Sequence, residues 1–148
     1  NELIEMCGGM ASGHSFKGYL PGGASGGILP ASKGDIPLDF GDKLAEEGCF
    51  VGSHAVVVLS DQDNMWDVAT NLLKFFAHES CGQCTPCRNG TEKAVAMMST
   101  VNPDTALLGE LSVAMADASI CGLGQAASNP LISVMKHFPE DVGGSNNA

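Results

Sequence analysis

The chain has 148 residues, enough for one ordinary domain or two small ones, and its apolar fraction of 44% is normal for a folded protein. Seventeen acidic residues against seven basic ones argue against nucleic-acid binding, because displacing phosphate counterions requires clustered lysine and arginine. The sequence contains no run of 18 apolar residues and no basic-then-apolar leader, so direct membrane insertion and secretion are not expected and a cytoplasmic location is predicted.

The first part of the chain, residues 1–62, is rich in glycine and proline with short apolar runs between them. LIEMCGG predicts the end of a helix, capped by Gly8 or Gly9 in the left-handed conformation. FKGYL, Phe16–Leu20, predicts a strand that stops at a Pro-Gly-Gly turn, and the apolar, β-branched run His54–Ser60 predicts a central strand. These features predict a small α+β module.

Residues 63–140 show helical periodicity and predict a four-helix bundle with short connections. Proline follows the capping residue of the last three helices, and the predicted caps are Asp63 or Asn64, Thr85, Asn102 and Asn129. The third helix carries an apolar stripe of Leu107, Leu108, Leu111, Ala114, Met115 and Ala118. The segment 141–148 ends in GGSNNA and is predicted to be a flexible tail.

Three of the six cysteines stand at a two-residue spacing in HESCGQCTPCRNG: Cys81, Cys84 and Cys87. In a reducing cytoplasm, clustered cysteines indicate metal or redox chemistry more often than disulfides. One tight loop with three cysteines and one remote cysteine is typical of a [4Fe–4S] cluster, whereas structural zinc usually uses two pairs. The spacing therefore favours one [4Fe–4S] cluster over zinc and over disulfide or thiol chemistry.

Such a cluster needs a fourth ligand, and the candidates are Cys7, Cys49 and Cys121. Cys121 is favoured because it follows the third predicted helix in the same half of the chain. The flanking glycines, Gly122 and Gly124, let backbone amides approach a cofactor closely. Cys7 and Cys49 are expected to be small buried hydrophobic residues.

Local sequence around the cysteines also favours an anionic group. Thr85-Pro86 places Cys87 in the first turn of a helix, where unpaired amides and the helix dipole stabilise a thiolate. Arg88 adds a positive charge that would raise the reduction potential of a cluster, with a solvated or ion-paired arginine as the equal alternative. The residues expected to surround the ligands are Arg88, Gly82 and Gly122.

Other polar motifs carry less chemistry. His78 lies three residues before Cys81 and is expected beside the site or at the surface, and the remaining histidines have no partners at ligand spacing. GGASGG, residues 22–27, lacks the Lys-Ser/Thr of a phosphate cradle and predicts a plain loop. No Ser–His–Asp set and no paired carboxylates are present, so no catalytic residue is predicted.

The cysteine motif resembles a known family. ESCGQCTPCRNGTEKAV and SICGLGQAASNPLISVMKHF are similar to the C-terminal end of the flavoprotein subunit of respiratory NADH dehydrogenase and its relatives. The family pattern E-S-C-G-x-C-x-P-C-R-x-G is matched from Glu79 to Gly90, and the later family cysteine followed by Leu-Gly is matched at Cys121, Leu123 and Gly124. LIEMCGGM, YLPGGASGGIL, IPLDF and GCFVGSHAVVVLSD resemble the family's ubiquitin-like β-grasp module.

The resemblance implies an electron-relay role. In the family, the cluster takes single electrons from FMN, which exchanges hydride with NADH or NAD+ on a glycine-rich upstream domain. That domain is outside these 148 residues, and the opening NELIEMCGG, without an initiator Met, predicts a piece of a longer polypeptide. The expected partners are this upstream domain and the catalytic and small iron–sulfur subunits of a complex, and the fragment alone would not bind NADH.

The branch of the family is also predicted. GLGQAASNP, LPASKGDIPLDFG and AVVVLSDQD most resemble the beta subunit of NAD-dependent formate dehydrogenase. The alternatives are an NADH:quinone oxidoreductase subunit and the diaphorase subunit of an NAD-linked hydrogenase. A hypothesis of another class is a structural module, in which zinc or an inert cluster clamps the bundle and the β-grasp module serves as a docking surface.

Overall fold

The structure is a computed structural model that describes residues 1–144. Its fold is α+β, with a small sheet near the start of the chain and most helices after it. The helices are α1 (Glu2–Met6), α2 (Asp42–Glu46), α3 (Met65–Glu79), α4 (Thr85–Met98), α5 (Thr105–Ala118), α6 (Gly122–Ala126) and α7 (Asn129–His137). The strands are β1 (Phe16–Leu20), β2 (Leu29–Pro30) and β3 (Val57–Ser60), and short 3-10 turns lie at Ala24–Gly26, Ala31–Lys33 and Pro139–Asp141.

The sheet has three strands in the order β2-β1-β3, and both pairs are antiparallel. The predicted strand Phe16–Leu20 is confirmed as β1, which lies in the middle. The prediction of a central strand over His54–Ser60 is wrong for the described chain, because only Val57–Ser60 forms a strand and it lies at the edge. Val57 and Val58 stay 44% and 36% exposed there, since too little of the described chain packs over them.

Alternation along the sheet divides the apolar residues between two cores. Successive side chains of a strand point to opposite faces. Leu20 therefore joins the main core with the bundle residues, whereas its neighbour Tyr19 joins a smaller core under α2. Ile28 and Leu29 divide in the same way. The predicted boundary at 62/63 falls in the turn between β3 and α3, and the division into two modules stays a prediction because one core includes residues from both sides.

The four long helices form the predicted bundle arrangement around the main core. α3 packs against α4 and α7, and α5 packs against the same two helices. The buried indole of Trp66 in α3 donates a 2.9 Å hydrogen bond to the carbonyl of Met98 at the end of α4. Among the described residues, no helix is long and apolar enough to cross a lipid bilayer.

The helix starts show which capping predictions were right. Asn64 caps α3 and accepts a hydrogen bond from the amide of Asp67. The prediction of Asn102 as the cap of α5 is wrong. The side chain of Asp104 accepts a 3.0 Å hydrogen bond from the amide of Leu107, so the helix begins two residues later than predicted. In α4 and α7 the capping position lies one residue before the predicted one, at Cys84 and Ser128.

Two further predictions about the helical half are corrected. A fifth, short helix, α6, follows Cys121 within the segment that was predicted to contain four helices with short connections. The apolar stripe of α5 is only partly inside: Leu108 and Met115 are buried and Leu111 is half-buried, whereas Leu107, Ala114 and Ala118 are exposed. The buried side of α5 includes Ser112, whose hydroxyl is satisfied by the Leu108 carbonyl within the helix.

The N-terminal cysteines behave differently from each other. Gly8 and Gly9 both have positive φ angles (97° and 86°) after α1, as the helix-end signal predicts. Cys49 is 1% exposed, and burial raises the pKa of its thiol to about 11. The prediction that Cys7 is buried is wrong, because it caps the end of the short α1 at the surface.

The C-terminal turn ties the sheet to the bundle. The carboxylate of Asp141 accepts hydrogen bonds from the ammonium of Lys17 in β1, at 2.6 Å, and from the amide of Met65 at the start of α3, at 2.7 Å. The predicted flexible tail 141–148 is therefore anchored at its first residue. Residues 145–148 lie outside the described residues.

Glu47 connects three separate segments of the chain. Its carboxylate accepts a 2.6 Å hydrogen bond from Lys33 and a 3.4 Å bond from Lys136 of α7. The largely buried imidazole of His137 lies 3.7 Å from the same carboxylate. The hydrogen bond from Lys33 is the main reason that the pKa of Glu47 is lowered, whereas burial lowers the pKa of His137.

We expect the stability of the chain to fall in two steps as the pH is lowered from 7. The unfolded state takes up a proton on His137 near its ordinary pKa of about 6.5, while the folded state resists it, so stability declines below that pH. The stability contributed by Glu47 is complete above the ordinary glutamate pKa and is lost as the pH falls through its lowered folded value. Urea unfolding midpoints measured from pH 7 to pH 3 test this; His137→Gln should flatten the upper step and Glu47→Gln the lower one. A constant midpoint across the range would contradict both assignments.

Candidate metal centre

A tight loop between α3 and α4 presents the three closely spaced cysteines. α3 ends at Glu79, and Cys84 is already the capping residue of α4, so the chain must change direction within the few residues between them. Gly82 has a φ of +74°, a conformation that favours glycine. The guanidinium of Arg88, one turn into α4, donates to the carbonyl of Gly82 and closes the loop. Arg88 thus points back over the cysteine loop rather than into solvent alone.

Cys87 lies in the first turn of α4, as predicted, and is the most buried of the three. Its Sγ atom is 3.3 Å from the Ser80 hydroxyl, which also accepts a hydrogen bond from the amide of Gly82. On the other side, the buried hydroxyl of Thr91 donates to the Cys87 carbonyl at 2.8 Å. These contacts hold Cys87 in place from both the loop and the helix.

Two glycines let the next helices approach α4 closely. A Cβ atom on Gly90 would lie 2.7 Å from Sδ of Met115, so α5 packs directly on the backbone of α4. A Cβ atom on Gly124 would lie 2.8 Å from the Cβ of Cys87 and 2.4 Å from the hydroxyl of Ser119. α6 is therefore seated on the first turn of α4, beside Cys87.

The thiol of Cys84 faces the segment that leads to Cys121. The backbone amide of Ile120 is the main reason that the pKa of Cys84 is lowered, and the amide of Cys87 contributes next. Ile120 immediately precedes Cys121, which is the capping residue of α6. Tertiary packing thus brings the remote cysteine segment to the Cys84–Cys87 loop, as the choice of Cys121 requires.

The residues present fit an iron–sulfur cluster. The buried hydroxyl of Ser119 makes no hydrogen bond within residues 1–144, and it faces the Cys84 thiol. A buried donor without a partner is expensive, and an electron-rich group bound here would accept its hydrogen bond. All six cysteines are free, and soft thiolates are the ligands that iron–sulfur clusters use.

The same cysteines do not form a compact site for one ion. Within residues 1–144, no three His, Cys, Asp or Glu side chains converge closely enough to bind a single metal ion. Cys81 and Cys121 are exposed, Cys84 is half-buried and Cys87 is buried. The assignment of Cys81, Cys84, Cys87 and Cys121 as a ligand set stays a prediction, as do the roles of Gly82, Arg88 and Gly122.

Other sequence motifs lie apart from this site. The imidazole of His78 is exposed and pairs with its neighbour Glu79 at 3.0 Å. The GGASGG loop packs on α7, where the side chain of Asn129 donates to the carbonyl of Ser25. A Cβ atom on Gly27 would lie 2.6 Å from Sγ of the buried Cys49, so this loop serves packing.

Three residues at the site were missed by reasoning from sequence: Ser80, Ser119 and Ile120. Ser80 and Ile120 are next to a cysteine in the sequence, and Ser119 is separated from Cys121 by one residue. This proximity in sequence was the one signal that could have pointed to them. Serine and isoleucine carry no ligand chemistry of their own in such a motif. Their hydroxyl and amide groups matter only because the fold aims them at the sulfur atoms.

Comparisons with known proteins identify the family of the chain. The family model described as the NADH-ubiquinone oxidoreductase-F iron-sulfur binding region matches residues 67–144. The chain is similar to an NADH-quinone oxidoreductase subunit of Rhizobium meliloti (strain 1021), with 35% identity over 144 residues, which is 93% of this chain and 34% of the relative. It is also similar to the NADP-reducing hydrogenase subunit HndC of Solidesulfovibrio fructosivorans, with 34% identity over 94% of this chain and 29% of the relative.

A solved structure shows the same fold. A chain in the crystal structure of NAD+-reducing [NiFe]-hydrogenase in the H2-reduced state superposes with a TM-score of 0.71 and 30% identity. The match covers 87% of this chain and 23% of that chain. The present chain therefore spans about a third or less of the length of the proteins it matches.

Proposed function

Because the chain belongs to the family of the NADH-ubiquinone oxidoreductase-F iron–sulfur binding region, we propose that it is the electron-relay part of an NAD-linked flavoprotein subunit. One [4Fe–4S] cluster would be held by Cys81, Cys84, Cys87 and Cys121. The observation that carries this proposal is the close seat of α6 on α4, where a Cβ atom on Gly124 would lie 2.8 Å from the Cβ of Cys87, because it joins the three-cysteine loop to the segment of the fourth cysteine.

The residues of this chain stabilise thiolates at the site. The cluster, when bound, supplies one-electron acceptance and donation. The amides at the start of α4 and the amide of Ile120 donate toward sulfur, which favours the deprotonated ligands. Arg88 offsets the negative charge of the thiolates while its guanidinium holds the Gly82 carbonyl. The Ser80 hydroxyl lies 3.3 Å from the Cys87 sulfur, and the buried Ser119 hydroxyl, which makes no hydrogen bond within residues 1–144, is available to donate to the bound cluster.

The remainder of the subunit and its complex form the wider proposal. FMN and the NAD(H) site would lie on an upstream domain, and residues 1–62 would form a ubiquitin-like β-grasp module that follows it. The protein would work in the cytoplasm with catalytic and small iron–sulfur subunits. The sequence pattern favours formate as the substrate at the far end, whereas the relatives compared are named as NADH–quinone and hydrogenase subunits. NAD+ reduction by the purified complex with formate or with hydrogen, and NADH oxidation by quinone, distinguish these branches.

The cluster assignment is tested by replacing the fourth cysteine. Anaerobically purified full-length subunit is expected to contain about four irons at this site and to show a paramagnetic signal when reduced. Cys121→Ala should abolish that signal, whereas Cys7→Ala, at an exposed position after α1, should leave it unchanged. A colourless protein that carries zinc would support the structural-clamp hypothesis instead. An intact signal in Cys121→Ala would show that the fourth ligand is another residue.

A further inference from the structure

The outward side of α5 is more apolar than a solvent-facing helix requires. Leu108, Ser112 and Met115 form the buried side. On the opposite side Val113 is 60% exposed and Leu107 is 45% exposed. Single exposed apolar residues are ordinary on protein surfaces, but two on one helix beside a candidate redox site indicate an interaction surface.

Acidic side chains occupy the middle of this same side. At 100° per residue, Glu110 and Asp117 lie two turns apart on one line, with Leu107 to one side of that line and Val113 to the other. These four residues are called the α5 face. Both carboxylates are exposed, and neither forms an ion pair in the part of the chain that the structure describes.

No positive charge in the neighbouring sequence balances these carboxylates. Residues 94–135, which include all of α5 and α6, contain no lysine or arginine, and the carboxylates in that range are Asp104, Glu110 and Asp117. Asp104 is occupied as the cap of α5. The α5 face therefore presents two unneutralised carboxylates between apolar side chains, which is complementary to a surface that combines arginine or lysine with apolar groups.

The α5 face also lies next to the candidate metal centre in the chain. Asp117 is four residues before Cys121, and the exposed Ile120 stands between them. The short helix α6, which begins just after Cys121, packs so closely on α4 that a Cβ atom on Gly124 would lie 2.8 Å from the Cβ of Cys87, and the side chain of Ile120 is 72% exposed. A protein seated on the α5 face would therefore be brought close to the cysteines.

We infer that the α5 face docks the protein that exchanges electrons with this chain, and that this partner binds through a positively charged, partly apolar surface. The inference deepens the proposed function and rests on it for the electron transfer. Docking itself requires only the α5 face. Electrostatic attraction would speed the encounter and orient the partner, and the apolar side chains would add contact area whose contribution to binding does not depend on charge.

Charge reversal on the α5 face tests the inference in the full-length subunit, with oxidised cytochrome c as a basic, electron-accepting probe. Glu110→Lys combined with Asp117→Lys is expected to weaken calorimetric binding of cytochrome c about tenfold at low salt. The same double variant, reduced beforehand with dithionite and freed of the excess, should transfer electrons to oxidised cytochrome c about tenfold more slowly under anaerobic conditions. The control is Asp42→Lys combined with Glu46→Lys on α2, which changes the net charge equally and should weaken binding less than about twofold. In roughly 1 M salt, where the Debye length is about 3 Å, the difference should vanish.

The two readouts separate this inference from the proposed function. If both double variants weaken binding equally, or neither does, the α5 face is not the docking surface. If binding depends on the α5 face but the protein shows no reduced-state cluster signal and no cytochrome c reduction, the docking inference stands and the relay proposal fails. A normal cluster signal with binding that is indifferent to the α5 face overturns the docking inference alone.

Discussion

Gly124→Ala is expected to lower the retention of iron by the full-length subunit about tenfold or more, an effect typical of residues that position metal ligands. An alanine Cβ at this position would lie 2.4 Å from the Ser119 hydroxyl and 2.8 Å from the Cβ of Cys87. Both neighbours belong to tightly packed backbone elements, so α6 would have to move away from α4. That movement would carry Cys121 and the Ile120 amide away from Cys84.

A matched control lies in the neighbouring helix α5. Gly109→Ala adds a Cβ atom that meets no described atom within 4 Å, while it raises helix propensity as Gly124→Ala does. Iron and sulfide analysis of anaerobically purified protein, with the reduced-state paramagnetic signal, compares the two variants. Equal retention of iron in Gly124→Ala and Gly109→Ala would show that the close approach of α6 does not hold the site.

Asp141→Ala should lower the free energy of unfolding by about 2–4 kcal/mol, because it removes the acceptor shared by two donors and leaves a partly buried ammonium. The side chain of Asp141 is 11% exposed and that of Lys17 is 23% exposed, so water replaces the lost contacts poorly. The amide of Met65 also loses its partner at the first turn of α3. Among the described residues, the Asp63 carbonyl would be the one hydrogen-bond acceptor that Lys17 keeps.

The neighbouring Glu140 provides the comparison for this substitution. Glu140 is exposed and belongs to the same 3-10 turn, so Glu140→Ala should change stability by no more than about 0.5 kcal/mol. Urea unfolding of the chain can be followed by fluorescence of Trp66, which is the single tryptophan in the sequence and is buried in the main core. If Asp141→Ala unfolds at the same urea concentration as Glu140→Ala, the turn does not tie the sheet to the bundle.

The elements of the fold were predicted to different degrees. β1 was predicted to its end residues, because FKGYL is bounded by clear turn residues. The start of α5 was predicted two residues too early, since three adjacent residues, Asn102, Pro103 and Asp104, all carry helix-start signals. Only the folded backbone shows that it is Asp104 whose side chain reaches the Leu107 amide. β3 was predicted too long and too central, because an apolar β-branched run looks the same at an edge as in the middle of a sheet.

The exposure of the cysteines also depended on the surroundings. Cys7 and Cys49 look equivalent in sequence, and both were predicted to be buried. Cys49 is enclosed because Gly27 leaves just enough room for its sulfur, whereas Cys7 ends a helix of five residues that buries none of its side chains. Burial is a property of what packs over a residue, so the residue type alone could not distinguish the two.

Much of the chemistry of this chain follows from residue types and their spacing. Three cysteines at a fixed short spacing favour a soft-metal site, because residues so close in sequence must stay close together in the fold. Helical periodicity and helix-start signals predict the bundle that carries this site. Tertiary packing was needed to show that the Ile120–Gly124 segment reaches Cys84 and Cys87, and that the Ser119 hydroxyl lies beside them. Those contacts join residues more than thirty positions apart, and they depend on how closely α5 and α6 pack on α4, which glycines at 90 and 124 permit.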